Sequence, residues 1–225
     1  MQQILHTFGS FQIPVINIGA LDLPADKFGM SWALLGATRS GKTTLLNYIF
    51  KKYFKDYLTI LMSNSLQADT YNYIKKGCGV ISHHYHPKVL KNCYKINHET
   101  NNHYKFLFII DDITDVRNDK EMTRLMTIYR NSRIASIVSA QTATMMNPIA
   151  RSNINYVLLG RCNSSMQIER NIKDFLVAYF PSKMKMSEKI QLYKHLTDDH
   201  KWILIDNIEG KIYLTKLTES QVISS

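Results

Sequence analysis

Short apolar runs alternate with amphipathic segments along most of this chain. The runs are rich in β-branched, leucine and aromatic residues, and their length is typical of buried strands. They cover residues 31–35, 58–62, 105–110, 135–140, 156–159, 202–206 and 211–215. Segments with helical spacing lie between them, at 42–54, 68–76, 119–130, 145–153, 165–179 and 187–196. This alternation predicts an α/β fold whose mostly parallel sheet is covered by helices on both faces.

Three parts of the chain deviate from this alternation. Residues 1–28 contain Pro14 and Pro24, and they predict one or two short edge strands around 13–19. Residues 78–104 are polar and rich in His and Asn, and we expect an insertion with a short strand at 80–81 and a short helix at 88–93. The last two apolar runs flank the turn 207–210, which predicts a C-terminal β-hairpin.

Length and composition favour one intracellular domain. A chain of 225 residues can bury a sizeable core without disulfides, so we expect a single domain. Its parts would be N-terminal strands at 1–28, a core at 28–161, and C-terminal helices and a hairpin at 162–225. The three cysteines are too few for a disulfide framework. We also expect no membrane span and no signal peptide.

The chain is strongly basic. It contains 28 Lys and Arg against 18 Asp and Glu, which gives a formal net charge of +10. A nucleotide alone does not require this excess, so a polyanion is the simplest partner, with nucleic acid as the leading candidate. An AT-rich coding sequence, which enriches Lys, Asn, Ile and Tyr, is the alternative source of the charge.

A phosphate-binding loop follows the first buried run. Residues 36–43 match the pattern G-x-x-x-x-G-K-[ST], with an apolar strand before them and a helix after them. Backbone N–H groups and the helix N-terminus of such a loop face the phosphates. The predicted nucleotide-binding residues are Gly36, Ala37, Thr38, Arg39, Ser40, Gly41, Lys42, Thr43 and Thr44. Lys42 would reach the β- and γ-phosphates, and the Thr43 hydroxyl would be a ligand of Mg²⁺.

Polar residues at the ends of two later strands complete a site for ATP hydrolysis. Asp111 ends the run 106–110, where a carboxylate can support Mg²⁺, as in a Walker B strand. Asp112 follows directly and is the predicted base for the attacking water. Gln141 ends the run 135–140 and is the predicted sensor of the γ-phosphate. Strand-end carboxylates and amides with local hydrogen bonds are the structural alternative.

Three arginines are candidates for an arginine finger. Arg130 and Arg133 precede the strand that ends at Gln141, and Arg151 follows it. A guanidinium that reaches the γ-phosphate in a neighbouring subunit would stabilise charge in the transition state. The sequence does not choose among the three, and each has an ion pair as its alternative role.

The motifs exclude two other classes of P-loop protein. Asp112 is followed by Ile113 and Thr114 rather than by the x-x-Gly of a GTPase, and no Asn-Lys-x-Asp signature occurs. A small-molecule kinase would have an Arg-rich lid and usually no second acidic residue after the Walker B Asp. Hydrolysis coupled to motion is the better interpretation.

With these motifs in order, residues 28–161 resemble the FtsK/HerA superfamily of DNA-pumping ATPases. The resemblance is greatest to its viral branch, the poxvirus-type genome-packaging ATPases of large DNA viruses, virophages and tailless double-jelly-roll phages. It rests on residues 36–43, 106–112 and 129–141, where Arg130 matches the Arg of an Arg-His element and Asn131 replaces the His. Residues 148–153 resemble the family's Arg-x-Asn element.

The resemblance implies a RecA/FtsK-like strand order, with the Gln141 strand between the P-loop and Walker B strands. It further implies an ATP- and Mg²⁺-dependent double-stranded DNA translocase, a homo-oligomeric ring of six or five subunits, and capsid vertex proteins as partners. We therefore expect a genome-packaging ATPase in the virion or the host-cell cytoplasm, without integral membrane association. An assembly and export ATPase of the filamentous-phage type and a nucleotide-dependent switch or scaffold with little hydrolysis are the alternatives.

Two further features have weaker signals. Cys78, His83, His84, His86 and Cys93 are zinc-ligand types, but their spacing matches no standard zinc motif, so an exposed loop is the expected structure. Lys183, Lys185 and Lys189 could line a DNA channel or form a solvated helix start.

Overall fold

A mixed eight-stranded sheet forms the centre of the molecule. We describe a computed structural model of the chain for residues 4–23, 29–66, 71–113 and 116–224. The strands are β1 (Leu5–Phe8), β2 (Phe11–Pro14), β3 (Ser31–Leu35), β4 (Leu58–Ser63), β5 (Cys78–Ser82), β6 (Phe106–Asp111), β7 (Ile134–Ala140), β8 (Tyr156–Leu159), β9 (Trp202–Asp206) and β10 (Lys211–Thr215). The helices are α1 (Lys42–Ile49), α2 (Asn72–Gly77), α3 (Pro87–Glu99), α4 (Lys120–Thr127), α5 (Pro148–Ser152), α6 (Ser165–Asn171), α7 (Met186–Leu196) and α8 (Glu219–Ser224).

The strand order of the sheet is β10-β9-β8-β3-β7-β6-β4-β5. The strands from β8 to β5 are parallel to one another, whereas β9 and β10 are antiparallel to their neighbours. The predicted α/β class, the mostly parallel sheet and the C-terminal hairpin are therefore confirmed. β7 lies between β3 and β6, as the resemblance implied.

The central strands are apolar throughout because both of their faces are buried. Side chains of β3 alternate between two core clusters, with Trp32 and Leu34 in one and Ala33 and Leu35 in the other. Buried residues of α1 and α2 belong to the first cluster, and buried residues of α3 through α7 belong to the second. This covering of both faces is the usual environment of a parallel sheet.

The N-terminal strands lie earlier than predicted. β1 and β2 pair as an antiparallel hairpin at 5–14, and not as strands around 13–19. Gly9 has φ +58°, which glycine adopts without steric cost in the tight turn between them. Asn17 ends the extended segment because its side chain accepts a hydrogen bond from the Gly19 N–H and begins a short 3₁₀ helix. Pro24 lies outside the described residues.

Residues 78–104 are not the predicted insertion, although the predicted strand at 80–81 and helix at 88–93 are present. Residues 78–82 form β5, which extends the main sheet beside β4, and α3 continues to Glu99 instead of ending near 93. The sequence lacks the apolar run of a buried strand here because β5 is an edge strand, with Val80 and Ile81 exposed. The polar residues of α3 lie on its solvent face, while Leu90, Cys93 and Asn97 are buried.

Several helix boundaries also differ from the prediction. The segment predicted at 68–76 is helical at Asn72–Gly77, and residues 67–70 lie outside the described part. The segment predicted at 119–130 ends as an α-helix at Thr127 and continues as a 3₁₀ turn at Tyr129–Ser132. The one predicted at 145–153 is shorter because the Asn147 side chain caps α5 at the Ala150 N–H. The predicted domain divisions at 28 and 161 stay predictions.

A buried hydrogen-bond cluster fixes α7 to the end of β8. The Tyr193 hydroxyl donates to the Gly160 carbonyl at 2.8 Å and accepts from Asn171 Nδ2 at 3.0 Å. Burial is the main reason that the pKa of Tyr193 is raised well above its usual value, so the hydroxyl stays protonated and can donate. The chain next to Gly160 supports the P-loop, because the Ala37 N–H donates to the Arg161 carbonyl at 2.7 Å.

We expect Tyr193→Phe to lower the free energy of unfolding by about 1–3 kcal/mol, because it removes a partner from the buried Gly160 carbonyl and the Asn171 amide. Urea denaturation would measure the change. Tyr73→Phe is the matched control, because Tyr73 is 37% exposed and its hydroxyl makes no hydrogen bond within the described residues. Equal midpoints for the two variants would contradict a stabilising role of the Tyr193 hydroxyl.

Candidate active site

Three neighbouring parallel strands bring the predicted catalytic residues to one edge of the sheet. β3 leads into the P-loop, β6 ends at Asp111, and β7 ends just before Gln141. Leu35 is aligned with Ala140 on β7, and Asp111 is aligned with Ser139. The carboxyl ends of these strands therefore meet at one edge, where ligands of open α/β sheets usually bind.

The P-loop has the backbone conformation that its glycines predict. Gly41 has φ +91°, a conformation that strains any other residue, and it immediately precedes α1. A Cβ atom on Gly36 would lie 2.8 Å from Ser40 Oγ, so the close approach of the loop to itself also requires glycine. The Gly36 N–H donates to the Ala140 carbonyl at 3.1 Å, which ties the start of the loop to the end of β7.

Lys42 and Ser40 provide a polar interior that fits phosphate. Lys42 is only 7% exposed, and its Nζ donates to the carbonyls of Gly36 at 2.8 Å and Ala37 at 3.0 Å. Ser40 Oγ is buried without a hydrogen-bond partner among the described residues. A buried hydroxyl without a partner is costly, and phosphate oxygens would provide the missing acceptors.

Asp111 is a buried carboxylate with one free oxygen. Its Oδ2 accepts a hydrogen bond from the Tyr71 hydroxyl, whereas its Oδ1 makes no well-formed hydrogen bond within the described residues, although the Ser139 hydroxyl is close enough to favour the charged form. Burial is the largest cause that raises the pKa of Asp111, because it disfavours the charged form. A bound cation would relieve this cost, so Asp111 fits the predicted Mg²⁺ site, and the role of the Thr43 hydroxyl stays a prediction.

The raised pKa of Asp111 predicts a measurable effect on stability. Below the unfolded pKa of about 3.9 the carboxyl is protonated in both states and has no effect on stability. Stability is then lost as the pH rises from that value through the higher pKa of the folded state. Without Mg²⁺ and nucleotide, we therefore expect Asp111→Asn to raise the free energy of unfolding at pH 7, and the gain to vanish below about pH 4.

Urea denaturation across this pH range would test the effect, with the exposed Asp56→Asn as the matched control. The control should change stability by less than about 0.5 kcal/mol. An Asp111→Asn variant that is less stable than the parent at pH 7 would indicate that the carboxylate has a structural role.

Asp112 and Gln141 line one pocket of ≈ 450 Å³. Asp112 has φ +51°, and its backbone is held from two sides. Its N–H donates to the Ser139 carbonyl at 3.1 Å, and its carbonyl accepts from Asn64 Nδ2 at 3.2 Å. Arg117 lines the same pocket and is exposed. The pocket thus combines a carboxylate, an amide and a guanidinium, which are groups that can orient water and stabilise anionic charge.

Arg130 and Arg133 lie far from this pocket within one subunit. Both precede β7, whereas Gln141 follows it, and a strand of that length separates its ends by about 20 Å. Arg130 Nη1 donates to the Asn153 carbonyl at 3.4 Å, and Arg133 Nη1 donates to the Asn102 carbonyl at 3.3 Å. Either arginine can therefore reach a nucleotide only in another subunit.

Arg151 is held by contacts within its own subunit. Its Nη1 donates to the carbonyls of Ala143 at 3.3 Å and Met146 at 2.9 Å, and its Nε lies 3.4 Å from Asp174 Oδ2. The Arg151 side chain is 16% exposed. These contacts favour its alternative role, a structural ion pair.

A second pocket beside the P-loop was not predicted from the sequence. It has a volume of ≈ 450 Å³ and is lined by Gly41, Thr44, His200, Trp202, Lys216, Leu217, Glu219 and Val222. The lining residues come from α1, from β9 and from the C-terminal segment, with their immediate neighbours in the chain. Because it is largely apolar and adjoins the phosphate loop, it fits the base of a nucleotide whose phosphates bind at Lys42.

The structure also brings four residues that the motifs did not reveal to the candidate site: Tyr71, Asn64, Arg117 and His200. Tyr71 contacts Asp111, and Asn64 contacts Asp112, but neither belongs to a recognisable pattern. His200 Nδ1 lies 3.4 Å from the Ser40 carbonyl, although the two residues are far apart in the chain. Such contacts depend on the approach of distant segments, and no local spacing encodes them.

Among the predicted metal-ligand residues, the side chain of Cys78 lies outside the described part of the structure, and His83, His84, His86 and Cys93 form no metal site. Within the described residues no group of three or more His, Cys, Asp or Glu is arranged to hold a metal ion. Cys93 is buried in α3, and the rings of His84 and His86 lie 6.5 Å apart at the surface. Cys93 and Cys162 are free thiols. None of the described helices is both long and apolar enough to span a membrane.

The three C-terminal lysines lie on a different part of the molecule. Lys183 lines a groove that also contains Phe8 and Gly9 of the N-terminal hairpin, and Lys185 immediately precedes α7. The Lys185 N–H donates to Glu188 Oε2 at 2.7 Å, so an acidic side chain lies beside the lysines at the start of this helix.

One protein family and several solved structures match the chain. The sequence profile of the family described as Poxvirus A32 protein matches residues 20–221. No curated protein sequence matches the chain.

The structural matches share the fold at low sequence identity. The genome-packaging NTPase B204 of Sulfolobus turreted icosahedral virus 2 with bound ATPγS has a TM-score of 0.56 and 16% identity, over 84% of this chain and 97% of that one. The DNA-packaging ATPase B204 of Sulfolobus turreted icosahedral virus has a TM-score of 0.62 and 13% identity, over 86% and 100% of the two chains. The pCW3 conjugation coupling protein TcpA with ATPγS has a TM-score of 0.57 and 13% identity, over 93% of this chain and 63% of that one.

Proposed function

The chain belongs to the Poxvirus A32 protein family and is a viral P-loop ATPase of the FtsK/HerA type, and we propose that it hydrolyses ATP to move double-stranded DNA into a preformed capsid. This proposal rests on one observation. The P-loop, Asp111, Asp112 and Gln141 lie together at the carboxyl edge of three adjacent strands. A structural role alone does not require a buried carboxylate with a free oxygen next to a buried lysine.

Each residue has a distinct role in the proposed reaction. Lys42 and the loop N–H groups hold the phosphates, and Thr43 and Asp111 hold Mg²⁺, which supplies neutralisation of phosphate charge when bound. Asp112 accepts the proton of the attacking water, and Gln141 orients that water against the γ-phosphate. The pocket formed by Thr44, His200, Trp202 and Leu217 would hold the base. Thr38 and Arg39 complete the phosphate loop.

Besides Arg117, which lines the pocket of its own subunit, we propose an arginine finger from a neighbouring subunit of a homo-oligomeric ring. Arg130 and Arg133 cannot reach the nucleotide of their own subunit, and Arg151 is tied to Asp174. This assignment requires a ring in which the surface that bears Arg130 and Arg133 faces the carboxyl edge of the next subunit. The ring size, six or five subunits, does not follow from these contacts.

Subunit mixing tests this assignment. We expect Arg130→Ala or Arg133→Ala to reduce hydrolysis by about 10³-fold, because the finger is supplied in trans. We also expect mixed rings of that variant with Asp112→Asn to regain part of the activity, since some interfaces combine an intact finger with an intact base. Arg151→Ala should instead lower the melting temperature. Complementation between Arg151→Ala and Asp112→Asn, with none from the other two, would move the finger to Arg151.

Translocation itself is tested by displacement of a third strand from a DNA triplex. The proposed packaging motor should release the third strand from a duplex track in the presence of ATP, and should fail to do so with a non-hydrolysable analogue. A requirement for a single-stranded track would favour the export ATPase of the filamentous-phage type. Nucleotide binding without turnover in the assembled ring would favour the switch or scaffold.

The cellular setting and partners follow from this function. A packaging motor acts at a capsid vertex, so we propose capsid vertex proteins as partners and the virion or the viral assembly site in the host cytoplasm as the location. The family match to Poxvirus A32 protein supports a viral setting.

A further inference from the structure

The positive charge of the chain is concentrated in one part of the sequence. Residues 39–105 contain eleven Lys or Arg and only three Asp or Glu, so this segment, under a third of the chain, carries most of the net charge of +10. Within it, α1 and α2 pack on one face of the sheet and α3 packs on the other. The lysines of α3 therefore form a group separate from those of α1 and α2.

A single helix presents much of this charge in a line. Lys88, Lys91, Lys95 and His98 recur every three or four residues on α3, and all four are exposed. Residues with this spacing lie on one face of a helix. The stripe is about 15 Å long, which corresponds to the axial rise of about four nucleotides in one strand of B-DNA.

The acidic residues beside this stripe are few and already paired. Glu99 lies 3.7 Å from Lys95, in a contact between two largely exposed side chains that contributes little. Glu121 pairs with Arg124 at 2.8 Å and accepts from the Tyr129 hydroxyl. Lys88 and Lys91 make no ion pair with any residue that the structure describes.

The stripe borders a groove between α3 and α4. The groove has a volume of ≈ 530 Å³, and its walls include Lys91, Lys95, His98 and Arg124. The rings of Tyr94 and Tyr129 stack in it with their centroids 4.4 Å apart. A surface with exposed cationic side chains along one helix suits an extended polyanion, which can contact several of them at once.

We propose that Lys88, Lys91 and Lys95 of α3 bind the phosphate backbone of double-stranded DNA during translocation. This inference rests on the proposed function and specifies where the motor holds its substrate. Lysines act as point charges toward phosphates and carry no sequence information. A motor that moves an entire genome needs contacts of this kind, because it must grip every sequence equally.

The test compares two triple variants of the full chain with equal changes in charge. Lys88→Gln/Lys91→Gln/Lys95→Gln removes the stripe, and Lys183→Gln/Lys185→Gln/Lys189→Gln removes the three C-terminal lysines. Glutamine has nearly the same helix propensity as lysine, so both variants should fold, and their melting temperatures check this. Fluorescence anisotropy with a labelled duplex of mixed sequence, titrated from 50 to 300 mM KCl, gives affinity and salt slope.

We expect the α3 variant to bind duplex at least about tenfold more weakly at 100 mM KCl than the parent protein. The slope of log K against log salt should fall by about 2–3, because each lost phosphate contact removes about 0.9. The C-terminal variant should keep most of the affinity and slope. The affinity of the α3 variant should fall by the same factor for duplexes of different sequence.

Three outcomes would overturn the inference. If the parent binds duplex and the α3 variant has the same affinity and slope, the contact lies elsewhere while the proposed function stands. If the C-terminal variant alone loses binding, the DNA surface lies at Lys183, Lys185 and Lys189. A parent protein that binds no duplex, as monomer or as ring with ATP, would contradict both this inference and the proposed function.

Discussion

Replacement of Lys42 by alanine is expected to reduce the rate of ATP hydrolysis by at least about 10²–10³-fold and to weaken ATP binding as well. The ammonium group is buried inside the loop and donates to two loop carbonyls, so its position is fixed before nucleotide binds. A preorganised charge of this kind stabilises the phosphates without reorganisation at the moment of reaction.

The effect of Lys42→Ala should be visible in two measurements. Steady-state phosphate release would give the loss of rate, and the ATP-dependent rise in melting temperature would shrink because that rise follows ligand affinity. Lys52→Ala, at an exposed position beyond α1, is the matched control and should change neither. Unchanged hydrolysis in Lys42→Ala would mean that the loop does not hold the reacting phosphates.

Asp112→Asn should separate binding from hydrolysis. We expect a loss of about 10²–10⁴-fold in kcat, the usual contribution of a general base, with ATP affinity close to that of the parent. Asparagine keeps the size of the side chain and tolerates the left-handed φ of +51° at this position, so the backbone contacts to Ser139 and Asn64 should survive.

Single-turnover hydrolysis and ATP-binding titrations would measure the two quantities separately. Asp56→Asn, at an exposed surface position, is the control. If Asp112→Asn hydrolyses ATP at the parental rate, the base is another group and Asp112 only lines the pocket. If it loses ATP binding instead, Asp112 belongs with Asp111 among the residues that hold the metal.

The features that the sequence predicted best are those that local patterns encode. The P-loop requires glycines at fixed spacing, and a buried parallel strand requires a continuous apolar run, so Gly41, Asp111 and Gln141 could be placed from spacing alone. The parallel sheet and the C-terminal hairpin followed from the same runs. The register of β3, β6 and β7 confirmed that Gly41, Asp111 and Gln141 lie at one edge of the sheet.

The features that the sequence did not predict depend on tertiary contacts. β5 is an edge strand with exposed Val80 and Ile81, so it lacks the apolar run that identified the other strands. Tyr71 was not assigned a role because its hydrogen bond to Asp111 crosses between segments with no shared motif. The pocket at His200 and Leu217 likewise forms only when the C-terminal segment packs beside α1.

The choice among the three arginines also needed the fold. In sequence, Arg130, Arg133 and Arg151 all lie near the sensor strand. In the structure, the first two lie at the opposite end of β7 from Gln141, and the third is held by Asp174. A finger from the first two would therefore have to act in a second subunit, and hydrolysis would then depend on assembly.

The central claim is that ATP hydrolysis by this protein is coupled to duplex DNA, and steady-state hydrolysis with and without DNA tests it most directly. We predict that double-stranded DNA raises the rate of the parent protein, that single-stranded DNA does so less, and that Lys42→Ala and Asp112→Asn abolish the stimulated rate. Hydrolysis by the assembled ring that proceeds at the same rate with and without duplex DNA would contradict the claim.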